Sequence, residues 1–266
     1  MEHRPIITLT TDFGYKDPFV GIMKGVILKI NPFVDIVDIT HGISSQNVLE
    51  AAFAIEMSFA SFPSKTIHVV VVDPGVGSIR RPILAVADHH YFVGPDNGIF
   101  SRIYNLTETL NVIHITSEHY FMPQRSFTFH GRDIFAPVAA WLSKGINVSH
   151  FGDPVTDYVT IPIPVPATSK DNIIDGEVIY IDRFGNLITN IHTRNIDKLS
   201  SDPDRRLKVM IKDKEAPLLN YFSQAKDKGL YSLINSFNYL ELFVHRGNAS
   251  LDFGIAVGEK VRVIMI

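Results

Sequence analysis

The stretch Thr66-Ile67-His68-Val69-Val70-Val71-Val72-Asp73-Pro74-Gly75-Val76-Gly77 carries the strongest buried-strand signal in the chain. An unbroken β-branched run suits a strand covered on both faces, as in a parallel sheet between helix layers. It ends in an aspartate and a proline–glycine turn, and ligands of open α/β sheets bind beyond the carboxyl ends of the strands.

Reading outward, the first half of the chain alternates strand and helix. Ile6 to Thr11 reads as a buried strand. Asp17 to Ile30 reads as a helix, because Phe19, Ile22, Met23, Val26, Ile27 and Ile30 recur at three- and four-residue spacing. Val34 to Thr40 is a second strand, and Val48 to Phe62 a second helix closed by Pro63. Pro82 to Val93 divides into two short strands around Asp88-His89-His90, with both histidines expected in an exposed turn. Asn111 to Thr116 is a further strand, and Gly131 to Ser143 a helix carrying the single tryptophan, Trp141. This order predicts a mainly parallel sheet with helices on both faces.

The texture changes at Pro162, Pro164 and Pro166, which alternate with apolar residues as an extended connector. Beyond it come short strands: Glu177–Ile181, Leu187–Ile191, Leu207–Ile211, Tyr231–Ile234, Tyr239–Val244 and Val261–Ile266. Their spacing predicts a small antiparallel sheet or barrel. The expected organisation is an N-terminal α/β domain over residues 1–166 and a smaller C-terminal β-barrel domain over 167–266.

Composition narrows the chemistry. The 266 residues carry a formal net charge of −3 with no basic run, which gives no general attraction to nucleic acid or anionic lipid. There is no cysteine, so disulfides, zinc thiolates, iron–sulfur clusters and a cysteine nucleophile are excluded. No stretch reads as a signal peptide or a membrane span, so a cytoplasmic location is the expectation. Asn105, Asn147 and Asn248 begin N-x-S/T triplets, read as chance matches. Gly75 and Gly77 resemble the start of a dinucleotide fingerprint, but Arg80 stands where its third glycine belongs. No Walker loop and no His-Glu-x-x-His occurs.

Three stretches remain as polar sites at strand or helix ends: Thr11-Asp12-Phe13-Gly14, Asp73 through Arg80, and Phe129-His130-Gly131-Arg132-Asp133. Asp12 alone reads equally well as a turn former. Asp73 follows four valines and must find a partner, which Arg80 can supply as a plain ion pair. His130 could cap the helix start, and Arg132 with Asp133 reads as a first-turn pair.

Taken together, Thr11-Asp12-Phe13-Gly14-Tyr15-Lys16-Asp17, Val72 to Gly77 with Arg80, Phe129 to Asp133, and Asp182-Arg183-Phe184-Gly185-Asn186 resemble the S-adenosylmethionine (SAM) hydroxide adenosyltransferase family, the SAM hydrolases, relatives of the fluorinases and chlorinases. The motifs run from residue 11 to about residue 254. The resemblance implies an N-terminal α/β domain, a C-terminal β-barrel, and a homotrimer holding SAM between the N-terminal domain of one subunit and the C-terminal domain of its neighbour. It implies hydrolysis of SAM to adenosine and methionine, without metal or cofactor. The water-activating aspartate, arginine and histidine fall on Asp73, Arg80 and His130. The ribose-binding aspartate falls on Asp12. Methionine contacts fall on Asp17, Asp182 and Ser236, and adenine contacts on Asn186, Phe222, Asn248 and Ala249. Halogenating relatives carry an arginine after the serine matched by Ser236, where this chain has Phe237. They also carry neutral tyrosine and serine where it has Asp73 and His130. Two alternatives stay open: a halogenase of the same fold, and a SAM- or adenosine-binding module without turnover.

Overall fold

The computed structural model describes residues 4–169, 172–198 and 206–266. Contacts divide the chain into two compact units, Met1–Pro162 and Ile163–Ile266.

In the first unit the elements run β1 (Ile6–Thr11), α1 (Phe19–Ile30), β2 (Asp35–Thr40), α2 (Val48–Ser58), β3 (Ile67–Val71), β4 (Pro82–Ala87), β5 (His90–Pro95), α3 (Ser101–Tyr104), β6 (Leu110–Ile115), α4 (Ala136–Ser143) and β7 (Gly152–Val155). The sheet order is β2-β1-β3-β5-β4-β6-β7. β2, β1, β3 and β5 run parallel. β4, β6 and β7 add antiparallel pairings, so the sheet is parallel on one side and antiparallel on the other. The antiparallel half begins at the tight β4–β5 hairpin, where Asp88 takes φ +48°. There its carboxylate accepts hydrogen bonds from the Glu108 and Thr109 amides at 3.1 and 2.9 Å.

The valine run of β3 shows why both faces must be apolar. Val69 and Val71 pack with Met23 and Ile27 of α1 and Val138 and Leu142 of α4. Val70 and Val72 pack on the other face with Ile55 of α2 and Ile103 of α3. Side chains alternate along a strand, so Asp73 emerges on the face of α1 and α4. That is the side on which His130 precedes α4.

A histidine sits inside this core. His68 is fully buried, bonds Thr8 Oγ1 through Nδ1 at 2.7 Å, and stacks on Phe92. Its Nε2 lies 3.3 Å from His90 Nδ1, so His90 faces inward rather than out of the turn. Burial, reinforced by His90, pushes the His68 pKa down to about 3. Between there and its ordinary value of 6.5, the unfolded chain binds a proton that the folded chain refuses. Stability is therefore lost as pH falls through that window, on the order of a few kcal/mol at its acid end, and is unaffected above it. Thermal melts should show wild-type Tm declining from pH 6.5 downward more steeply than that of His68→Gln. Parallel profiles would remove His68 as the acid-sensitive group.

The helix expected over 131–143 begins as a π turn, Gly131–Phe135, before α4. Pro137 stands in the first turn of α4. It has no N–H for the Asp133 carbonyl, which accepts from the Met122 amide at 2.9 Å instead.

The second unit contains β8 (Ala167–Thr168), β9 (Ile173–Ile181), β10 (Leu187–His192), α5 (Thr193–Asp197), β11 (Leu207–Ile211), β12 (Lys214–Glu215), β13 (Leu230–Ile234), β14 (Tyr239–Val244), α6 (Ala249–Phe253) and β15 (Lys260–Met265). They form one antiparallel, barrel-like sheet in the order β12-β11-β15-β9-β10-β14-β13, with β8 on β9. Its core is built by alternation: Leu240, Leu242 and Val244 of β14 point in with Leu187, Ile191, Val261 and Val263. Among the described residues, no helix is long and apolar enough to cross a membrane.

Candidate active site

Asp73 leaves β3 and starts two successive turns, closed by Val76 N donating to Asp73 O at 3.2 Å and Ser78 N to Gly75 O at 3.1 Å. Gly77 is required twice over. Its φ is +78°, and a Cβ there would lie 2.2 Å from the Phe127 carbonyl oxygen. This close approach latches the 73–80 loop to the 126–130 segment.

The turns fold Arg80 back onto Asp73. Arg80 Nε donates to Asp73 Oδ1 at 3.0 Å, and Nη2 donates to Oδ2, giving a bidentate pair. The same Nη2 lies 2.7 Å from His130 Nδ1. The side chains of Arg80 and Asp73 are only 9% and 5% exposed. The guanidinium stands over the Phe135 ring, and its Nη1 is buried without a partner among the described residues.

The direction of these bonds fixes the imidazole. A guanidinium only donates, so His130 Nδ1 accepts, and the neutral ring carries its proton on Nε2. Burial holds the His130 pKa below its ordinary value, Arg80 pushes the same way, and Asp73 opposes more weakly. The cluster thus offers a carboxylate acceptor, an imidazole N–H donor and a spare guanidinium donor around one small space.

Asp73 and His130 line a cleft of about 410 Å³ together with Asp12, Asp17, Ser45 and Gln46. Asp12 accepts from the Gln46 amide at 2.8 Å through Oδ2. Its loop is pinned by the buried His41: Thr11 Oγ1 meets His41 Nδ1 at 2.8 Å, and Gly14 N donates to His41 O at 2.8 Å. Asp17 is exposed at the cleft edge. Phe13, Phe19 and Phe129 form an edge-to-face triangle with centroids 5.3 to 6.0 Å apart and supply the apolar wall. Sequence spacing did not single out this triangle; three phenylalanines on separate elements look like ordinary core. The described lining of this cleft carries three carboxylates, Asp12, Asp17 and Asp73, and no lysine or arginine, so the cleft favours a cationic ligand. A second cleft, of about 620 Å³, touches Arg80 and His130 from another side.

In the barrel unit, Asp182 anchors the turn before β10. Its Oδ1 accepts from the Phe184 and Asn186 amides at 2.9 and 2.8 Å, and its Oδ2 from Asn186 Nδ2 at 3.1 Å. Ser236 is exposed between β13 and β14, beside the exposed Phe237. Phe222 is half-exposed with its ring against Phe243. Asn248 caps α6 by accepting from Leu251 N at 2.8 Å, and Ala249 behind it is buried. Asp182, Asn186 and Asn248 therefore commit polar atoms to local structure.

The sequence models of the SAM hydroxide adenosyltransferase N-terminal and C-terminal domains match residues 7–152 and 176–262. This chain belongs to that family. The chain is 34% identical to the (R)-S-adenosyl-L-methionine hydrolase of Methanocaldococcus jannaschii, covering 97% of this chain and 95% of that one. The enzyme of the same name from Salinispora arenicola is 31% identical, over 99% of both chains. A fluorinase of Actinoplanes sp. is more distant, at 24% identity over 97% of each. Among solved structures, an uncharacterized conserved protein of Thermotoga maritima superposes with a TM-score of 0.90 at 35% identity, covering 97% of this chain and 99% of that one. A conserved hypothetical protein of Thermus thermophilus gives 0.76 at 27% identity, covering 99% and 100%.

Proposed function

We propose that this member of the SAM hydroxide adenosyltransferase family hydrolyses SAM to adenosine and L-methionine, by attack of water on C5′ of the ribose. The observation that carries this reading is the buried Asp73–Arg80–His130 cluster at the wall of an anionic cleft. SAM brings a sulfonium and an ammonium, both cations, to that cleft.

In the proposed step the water oxygen forms a bond to C5′ as the C5′–S bond breaks, and its electron pair leaves on sulfur. The leaving group is a neutral thioether, so no general acid is needed. His130 Nε2–H donates to the water oxygen and aims it. The Asp73 carboxylate accepts the departing proton, and the Arg80 pair holds its orientation. Asp12 accepts from the ribose hydroxyls. Asp17, Asp182 and Ser236 contact the methionine end; Asn186, Phe222, Asn248 and Ala249 contact the adenine. No metal or cofactor is required by these steps. The same reading assembles three copies, each SAM lying between the N-terminal domain of one subunit and the barrel of the next.

Halide as nucleophile is disfavoured by Asp73. An anion beside that carboxylate is repelled, and the paired Arg80 guanidinium reduces the repulsion without removing it. Purified protein incubated with SAM and chelator should yield adenosine and methionine by chromatography. With chloride or fluoride added, no 5′-halogenated nucleoside should appear. A halogenated main product would make the chain a halogenase.

A further inference from the structure

The barrel unit buries a carboxyl that the proposed reaction does not use. Glu241 lies on the outward row of β14 with Tyr239 and Phe243, yet it is only 5% exposed. Burial pushes its pKa up, and hydrogen bonds from Asn235 and Asn186 oppose that shift. Such a group needs fixed donors around it.

Both amides have their orientation set by other bonds. Asn235 Oδ1 accepts from the Phe237 and Tyr239 amides at 3.0 and 3.1 Å, which turns its Nδ2 onto Glu241 Oε2 at 3.1 Å. Asn186 Nδ2 donates to Asp182 Oδ2 at 3.1 Å, and the β10–β14 pairing, with Ile188 opposite Glu241, sets Asn186 on the same face as Glu241, to which it also hydrogen-bonds; an ionised carboxylate only accepts. The Asn186 NH₂ group has two protons, one for each. Its carbonyl oxygen, Oδ1, is the part of the side chain left over. Asn186 is itself only 8% exposed, so a turned amide would set oxygen against carboxylate in a dry place.

We propose that Glu241 locks the Asn186 amide so that it can only accept from a ligand, which makes Glu241 the residue that selects a 6-aminopurine nucleoside over a 6-oxopurine nucleoside. This deepens the reading of Asn186 as an adenine contact and rests on it. A 6-amino group donates to Oδ1; a 6-oxo group sets two acceptors face to face. A site built around one hydrogen-bonding polarity rejects the opposite polarity far more strongly than it rejects a change of size. Glu241 acts through Asn186 and touches no reacting atom, so it is a positioning residue.

Calorimetry with adenosine and inosine on the full chain tests this. Wild-type protein should prefer adenosine by about 100-fold. Glu241→Gln can donate as well as accept, so it relaxes the lock, and the preference should shrink about tenfold, with a smaller change in adenosine affinity itself. Glu241→Met removes the acceptor outright and carries the same expectation if the glutamine variant does not fold. Asn186→Ala should abolish the preference. If both Glu241 variants keep the full preference while Asn186→Ala loses it, the lock is wrong and Asn186 remains the base contact. If Asn186→Ala keeps the preference, Asn186 does not read the base and the proposal falls with that reading.

Discussion

Asp73→Asn should lower kcat for SAM hydrolysis by about 10²–10⁴-fold while leaving KM within a few-fold of wild type. The substitution keeps the size of the side chain and removes the charge. It leaves an amide that can still meet one Arg80 donor, so the loop is retained. What is lost is the acceptor for the water proton, an interaction that matters in the transition state more than in the bound ground state. A purely structural ion pair makes the opposite forecast: a lower Tm, with normal turnover in whatever stays folded. A folded Asp73→Asn protein with wild-type kcat would falsify the assignment of Asp73 as base. The same variant tests the assembly. Co-expression with Asn186→Ala should recover about one quarter of the adenosine-binding, active sites if each site combines two subunits, since half the N-terminal faces and half the barrels remain intact. No recovery in mixed oligomers would point to sites completed within one chain.

The second large effect belongs to Asp12. Its Oδ2 already takes the Gln46 amide, which leaves Oδ1 and the remaining lone pairs for two ribose hydroxyls. Asp12→Ala should weaken adenosine and SAM alike by about 3 kcal/mol, roughly 150-fold, because both ligands carry the ribose. The shift should appear in Kd and KM, not in kcat, opposite to the pattern for Asp73. Asp12→Asn separates the causes. It can still accept from Gln46 N and hold the loop, so a variant with restored folding and weak binding isolates the charge. Adenosine affinity equal to wild type in Asp12→Ala would reduce Asp12 to a turn former.

Much of this arrangement was legible in the residues. The valine run alternates between two helix layers, and simple counting along it carries Asp73 to the face where α4 begins. Glycine, proline and arginine spaced after it already read as a loop folding back. The antiparallel half of the sheet was not legible, because a short apolar run has the same period whichever way its neighbour points. Pro137 was visible, but the π turn before α4 was not, nor was the Met122 amide that meets the Asp133 carbonyl. Glu241 was hidden for a related reason. A lone glutamate in Tyr239-Leu240-Glu241-Leu242-Phe243-Val244 reads as an outward, solvated residue, and only the fold brings Asn186 and Asn235 over it.

The latch at Gly77 joins a short loop to a long one. Asp73 and Arg80 stand seven residues apart and can meet once a single local loop has closed. His130 lies fifty residues beyond Arg80, with the strands β4, β5 and β6 between them along the chain. Closing the longer loop is the slower step. Stopped-flow refolding should therefore show turnover lagging behind the closure of the 73–80 loop.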